Sequence, residues 1–456
     1  MDKLLRPRSV AVVGASDSVQ KIGGRPLAYL AANGFAGKVY PISQRGGQIQ
    51  GLPSHASLED LPEAPDAVIL SVPAEAVEEQ LRLCTKVGAG SAILFSSGFA
   101  EVGGEGRRRQ EALAAICAQG GVRLLGPNTI GTANFSNGAV LSFASIYQEV
   151  QPLDGPVAVV SQSGAVGVSV YAMLREAGIG VRHVCTTGNQ SDLHVTDFLQ
   201  AVLEDEDVRL VLVYMEDAGD RGKLEAALAL AHRRRVPVLV LRSGVTARGA
   251  RMASLHTGSA GMADGELDGI FARHACRQVA TLPELCADAR LYLGPRAAAE
   301  TPRVGVVGNS GASCVLAADA SAALGLPLVE FSPATLAVLD ALLPPFSLSR
   351  NPIDLTAMLL SDPSLVGKVM QAVLADPGAD AAMLSLTAVA GPGYDVPRFA
   401  AETAEAMARA NKPVAAVSPD HRVRQRFAER GMAAYASEIE ALRALRDSSR
   451  HLKQLT

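Results

Sequence analysis

Residues 157–165 read VAVVSQSGA, and residues 304–312 read VGVVGNSGA. Val157, Val159, Val160, Ser163, Gly164 and Ala165 of the first stretch recur as Val304, Val306, Val307, Ser310, Gly311 and Ala312 of the second. Each copy is an apolar run, then a turn of small residues, then an Ala/Leu-rich helical pattern. An apolar run without polar alternation suits a strand buried on both faces, which means a parallel sheet covered by helices. Any two strand–turn–helix units share part of this pattern. Its recurrence as a whole points to two similar domains that each open in the same way.

Similar runs extend in both directions: SVAVVGA (9–15), DAVILSVP (66–73), SAILFSSG (91–98), RLVLVYME (209–216), PVLVLRSG (237–244) and AAMLSLTA (381–388). Helical patterns lie between them. The expected class is α/β with three doubly wound parallel-sheet domains, the first Rossmann-like and the other two flavodoxin-like. Residues 133–156 lack clear periodicity and end in LDGP, and residues 294–302 read GPRAAAETP, a linker composition. These seams give expected domains at 1–130, 155–293 and 303–456.

Bulk composition agrees with this class. The chain has 456 residues, more than one core usually supports. It is 48% hydrophobic but only 4% aromatic, with no Trp, so the cores must be aliphatic. A net charge of −4 without a basic block argues against nucleic-acid binding. The six cysteines, at 84, 117, 185, 276, 286 and 314, form no CxxC pair. That spacing indicates neither a disulfide framework nor a zinc site, and it fits a reducing compartment. The N-terminal MDKLLRPRSVAVVG has no signal core. No apolar run approaches the roughly 18 residues of a membrane span. A cytoplasmic, soluble protein without a metal site is expected.

In the first domain, strand SVAVVGA ends at Gly14-Ala15-Ser16, ahead of a helical pattern. Small residues there let backbone N–H groups approach a phosphate. A strict GxGxxG is absent. The second strand, KVYPIS, runs into Ser43-Gln44-Arg45, where an NAD site wants an acid for the ribose. A neutral or basic position favours a ligand with extra phosphate, and CoA, with a 3′-phosphate and a pyrophosphate, fits. Loops Ser71-Val72-Pro73, Ser97-Gly98 and the segment carrying Asn128 follow later strands at their ligand-binding ends. Each alone is a weak signal, and a Rossmann-like domain without a ligand stays open on these residues.

Taken in order, PRSVAVVGAS, GKVYPI, SVPAEAV, SSGFAEVGGEG, RLLGPN, SQSGAVG, GNQSDL, the strand leading to Glu216, LHTGSAG, GNSGA and NPIDLT resemble the nucleoside-diphosphate-forming acyl-CoA synthetases. Succinyl-CoA synthetase and the ADP-forming acyl-CoA synthetases belong to that superfamily. The resemblance covers essentially the whole chain. It implies CoA as substrate at Gly14, Ala15, Ser16, Arg45, Ser71, Val72, Pro73, Ser97, Gly98 and Asn128. Thr129 departs from a common Cys, Arg242 from a common Lys, and Ser43-Gln44-Arg45 from Asn-Pro-Lys at the CoA loop; none removes the phosphorylation machinery that the resemblance implies.

His256 lies in GVTARGARMASLHTGSAGMADG (244–265), which reads as a glycine-flanked loop. Imidazole is a competent nucleophile near neutral pH, although a lone histidine is more often structural. The resemblance implies that His256 becomes phosphorylated. Glu216, ending its strand, could accept from one imidazole nitrogen and leave the other free, and the resemblance gives it that orienting role. The turns Ser161-Gln162-Ser163-Gly164 and Gly308-Asn309-Ser310-Gly311 each precede a helix, whose N-terminus attracts phosphate. The resemblance implies two such helices flanking the histidine. It also implies an ATP-grasp domain for nucleotide. Nothing in this chain resembles one, and GxxxxGK[ST] is absent. Nucleotide and Mg²⁺ are therefore expected on a separate subunit, in a hetero-oligomer or homodimer acting on an acyl-CoA or its carboxylic acid. A non-catalytic CoA sensor and a nicotinamide-dependent oxidoreductase are the alternatives.

Overall fold

The computed structural model describes residues 1–257, 265–344, 347 and 350–456; for residues 254–257 the backbone alone is described. The chain forms two compact units, Met1–Leu282 and Pro283–Thr456. The first unit contains two large sheets and the second contains one.

The first sheet is wholly parallel. Its strands lie side by side as Lys38–Ile42, Ser9–Val13, Ala67–Leu70, Ser91–Leu94 and Arg123–Leu125. In chain order this is 2-1-3-4-5, so the winding reverses between the first and third strands. Ligands of such sheets bind at the carboxyl ends of the strands beside that reversal. The unit in Pro283–Thr456 repeats the same order with Ile353–Asp354, Val304–Gly308, Ala381–Ser385, Val414–Val417 and Ala433–Tyr435.

The second sheet of the first unit departs from the all-parallel expectation. Arg277–Val279, Val238–Arg242, Leu210–Met215, Val157–Ser161 and Val181–Thr186 are parallel in the same order. Beyond Val181–Thr186, however, Gly131–Asn134 and Ala139–Ser142 add an antiparallel pair. These two strands occupy part of the stretch whose lack of periodicity suggested a seam. They read poorly because GTAN and AVLS are short. Ser142 Oγ donates to the Ile130 carbonyl and Asn134 Nδ2 to the Leu5 carbonyl, bonds that tertiary packing supplies.

The central strands are buried on both faces, and their alternate residues feed different cores. In the first sheet, Ala11, Val13, Val68 and Leu70 join one core, while Val10, Val12, Ile69 and Leu125 join another. The second of these cores also contains Ala158, Val160, Val211 and Val240 of the second sheet, so the first two sheets share one apolar interior. In the other unit, Val307, Ala382 and Leu384 face one core and Val304, Val306 and Met383 the other. Among the described residues no helix is long and apolar enough to cross a membrane.

Candidate active site

The carboxyl edge of the first sheet gathers the loops that the sequence singled out. Gly14 stands directly after the first strand. A Cβ on Gly23 would lie 2.0 Å from the Gly14 carbonyl oxygen and 3.3 Å from Ser71 Oγ, so only glycine lets residues 14–24 fold back on the strand end. Gln50 braces this loop: its Nε2 donates to the carbonyls of Ser16 and Gly24, at 3.0 and 2.8 Å. Ser71 N–H bonds the Val13 carbonyl. Ser96 Oγ donates to the Val72 carbonyl at 2.5 Å, and Asn128 N–H to the Ser96 carbonyl at 2.9 Å. Loops 14–16, 71–73, 96–98 and Asn128 thus line one edge. Arg45 is exposed in the turn after the second strand. Gln50 carried no signal in the sequence, because its role comes from the small antiparallel pair Gln48–Ile49 and Leu52–Pro53 beside it.

At the reversal point of the second sheet, Ser161 closes the first strand and Glu216 follows the third, Leu210–Met215. Gln162 joins them. It is buried, and its Oε1 accepts from the backbone N–H groups of Glu216 and Asp217, at 2.8 and 2.9 Å. Ser163 caps the helix Gly164–Glu176 by accepting from Val166 N–H. Glu216 Oε1 accepts from Tyr214 Oη at 3.0 Å, and Tyr214 Oη also meets Ser243 Oγ at 2.9 Å. Burial, opposed by the Ser243 bond and assisted by the Glu216 charge, raises the Tyr214 pKa, so the phenol stays a donor. Glu216 Oε2 is buried and, among the described residues, has no hydrogen-bond partner. A buried acceptor left unpaired costs about 1–3 kcal/mol, so this oxygen is suited to an incoming N–H. Asp217 is turned away, its Oδ1 accepting from Gly219 N–H at 2.9 Å.

The other unit repeats the amide device. Asn309 Oδ1 accepts from Thr387 N–H at 2.8 Å, and its Nδ2 donates to the Thr387 carbonyl at 2.9 Å. Gln162 and Asn309 occupy the same place in the repeat, and each ties the first strand to the third. Gly308 ends the first strand and Ser310 precedes the helix Gly311–Leu324, making no side-chain cap bond. Two carboxylates stand nearby. Glu438 accepts from Ser385 Oγ at 2.7 Å, and a Cβ on Gly311 would lie 3.3 Å from Asp354 Oδ2. Burial first, then these two acids, push the Cys314 thiol up to about 12, so it is no nucleophile at neutral pH.

The segment around His256 differs from the expected loop. Ala247–Thr257 is a helix, and it includes the His256 backbone. Its residues, ARGARMASLHT, are mostly good helix formers despite Gly249. Thr246 starts the helix: its Oγ1 accepts from Gly249 N–H at 3.0 Å, and its carbonyl from Ala250 N–H at 2.7 Å. The His256 side chain and residues 258–264 lie outside the described residues. Arg242, at the end of the preceding strand, pairs with Asp268 at 3.0 Å.

Comparison with known proteins agrees in order along the chain. Residues 8–134 match the family described as a CoA binding domain, 154–292 a succinyl-CoA ligase like flavodoxin domain, and 304–447 a ligase-CoA domain. The alpha subunit of the ADP-forming acetate–CoA ligase I of Pyrococcus furiosus is 32% identical over 366 residues, 78% of this chain and 77% of that one. A trans-feruloyl-CoA synthase from an unknown prokaryotic organism is 32% identical over 377 residues, 82% of this chain but 53% of its own length. The ADP-forming acetate–CoA ligase I of Archaeoglobus fulgidus is likewise covered over 50% of its length, so the chain spans about half of those two relatives. The structure of the dinucleotide-forming acetyl-coenzyme A synthetase 1 of Ca. Korarchaeum cryptofilum, in complex with phosphate and ADP, superposes with a TM-score of 0.87 at 27% identity. It covers 100% of this chain and 97% of that one.

Proposed function

The chain belongs to the ADP-forming acyl-CoA synthetase family, and we propose that it is the part of such an enzyme that handles CoA, phosphate and phosphohistidine. The buried Oε2 of Glu216, without a partner among the described residues, at the reversal point of a sheet and next to a capped helix start, is the observation that carries this reading.

The reaction runs in reversible steps. Inorganic phosphate attacks the thioester carbonyl of acyl-CoA, and the C–S bond breaks to give acyl phosphate and CoA. Imidazole Nε2 of His256 then attacks phosphorus, and the P–O bond to the acyl group breaks to release the carboxylate. Finally the phosphoryl group passes to a nucleoside diphosphate. Glu216 accepts from the other nitrogen of His256, fixing its tautomer and stabilising the charge that grows on the ring. Helix N–H groups at Ser163-Gly164 hold the phosphoryl oxygens, and the matching turn Gly308–Gly311 is a second phosphate-binding end. CoA lies on the carboxyl edge of the first sheet, its pyrophosphate at Gly14–Ser16, with Arg45 supplying positive charge. Nucleotide and Mg²⁺ are assigned to a separate ATP-grasp subunit; the alpha-subunit name of the Pyrococcus relative supports the existence of a second subunit. Acetate and a feruloyl group both occur in the names of relatives.

Two experiments test this reading. In titration calorimetry of the full chain, CoA should bind and NAD should not; NAD binding tighter than CoA would overturn it. Glu216→Gln keeps the shape of the side chain but loses its charge. Phosphoryl labelling of the protein from acyl-CoA and phosphate should slow about 10- to 150-fold, the worth of a hydrogen bond to a charged group, with CoA affinity unchanged. Labelling at the wild-type rate would remove Glu216 from the mechanism.

A further inference from the structure

The turn Gly188–Asp192 follows a strand of the second sheet, yet the bonds of Asn189, Ser191 and Asp192 run to the first. Asn189 and Ser191 N–H groups donate to the carbonyls of Pro127 and Gly126, at 3.0 and 3.1 Å. Asp192 takes a two-pronged bond from Arg123, 3.0 Å at the shorter contact, and a third bond from Leu124 N–H at 2.7 Å. Gly188 has φ +62°, and a Cβ there would lie 2.5 Å from the carbonyl oxygens of both Pro127 and Asn128. The turn and the 126–128 segment are therefore interlocked as backbones.

Above this anchor sits a set of polar side chains that backbone docking does not require. Asn189 Nδ2 donates to Glu101 Oε2 at 2.5 Å and to Gln110 Oε1 at 3.0 Å, and its Oδ1 faces Asn128 Nδ2 at 3.3 Å. Glu101 in turn accepts from the N–H groups of Gly98 and Phe99, at 2.6 and 3.2 Å. On the other side, Gly188 N–H donates to the carbonyl of Gln162, whose side chain holds Glu216 in place. One continuous path thus joins the Gly98–Phe99 loop of the first sheet, through Asn189, Gly188 and Gln162, to the Glu216 backbone N–H of the second. Burial pushes the Glu101 pKa up, but the bonds from Asn189, Gly98 and Phe99 together outweigh it and leave the group below the usual carboxylate range. The charge therefore persists at neutral pH.

We propose that Glu101 and Asn189 are positioning residues that set the Ser97–Phe99 wall of the CoA site against the phosphate site, so that transfer from acyl-CoA to phosphate depends on the pair. The proposal rests on the function inferred above. It separates the two half-reactions, because phosphoryl transfer from a ready-made acyl phosphate to His256 does not need the CoA wall.

The test uses the full chain and two labelling routes: labelled phosphate with acetyl-CoA or feruloyl-CoA, and labelled acetyl phosphate alone. Asn189→Asp sets a second carboxylate against Glu101. Labelling through acyl-CoA should fall about tenfold or more, the worth of one charge-assisted bond, while labelling from acetyl phosphate stays within about twofold. The double variant Asn189→Asp with Glu101→Gln reverses donor and acceptor: the introduced amide can donate to the introduced carboxylate, and its oxygen still accepts from Gly98 N–H. It should recover part of the acyl-CoA labelling lost in Asn189→Asp, short of wild type because Phe99 N–H loses its bond to Glu101 and Gln110 Oε1 its bond from Asn189. Unchanged acyl-CoA labelling in Asn189→Asp would overturn the proposal. So would an equal fall in both routes without rescue by the double variant. A wild-type chain that takes label by neither route would instead overturn the reading on which the proposal rests.

Discussion

Mixed with an acyl phosphate and ADP, these 456 residues alone are expected to make no ATP. Among the described residues the three large sheets share one five-stranded parallel winding, and their carboxyl edges are the places proposed above for CoA and phosphate. Matches to CoA-binding and ligase domains run from residue 8 to residue 447, and the sequence contains no GxxxxGK[ST]. Phosphoryl transfer to a nucleotide depends on positioned phosphates and metal, and those groups are assigned to a partner. Adding an ATP-grasp subunit should raise turnover from background to the ordinary enzymatic range, about 1–1000 per second. Coupled ATP detection on the chain with and without that subunit measures the effect. Sustained ATP formation by the chain alone would show that its sheets contain a nucleotide site.

Replacing His256 by Ala or Asn is expected to abolish phosphoryl labelling while leaving CoA affinity intact. The loss should be complete rather than partial, because the phosphoryl group is assigned to His256 and to no other histidine, and two of the others are buried against fixed partners. His183 is buried with its Nε2 2.9 Å from Asp205. His451 is buried with its Nδ1 3.0 Å from Tyr292 Oη. Asn matches imidazole in size and polarity but is no nucleophile, so its failure would separate chemistry from packing. Autoradiography of the two variants, beside CoA titrations of the same samples, gives the result. Full labelling of His256→Ala would show that another residue carries the phosphoryl group.

The strands were legible because buried parallel strands must be apolar throughout. VAVVS and VGVVG could only be central, and each is the first strand of its parallel winding. The site was legible in part. Gln162 and Asn309 share a position in the repeat, so an amide with one bridging task in both copies could have been read there. The task itself needed the third strand beside it. Gly131–Asn134 and Ala139–Ser142 gave little signal, since short antiparallel strands at a sheet edge take their stability from neighbours rather than from pattern. Helix Ala247–Thr257 was hidden by the glycines around it, which suggested a loop although Ala, Arg, Met and Leu fill the helix. The role of Asn189 depends on Glu101, a residue 88 positions earlier, and no local pattern records such a pairing.

The most direct measurement is the chemistry of the label itself. The wild-type chain, incubated with labelled phosphate and an acyl-CoA drawn from a panel that includes acetyl-CoA and feruloyl-CoA, should take up about one phosphoryl group per chain. The bond should be acid-labile and base-stable, as a phosphoramidate is, and peptide mapping should place it on His256. An acid-stable label, or a label on any other residue, would contradict the account.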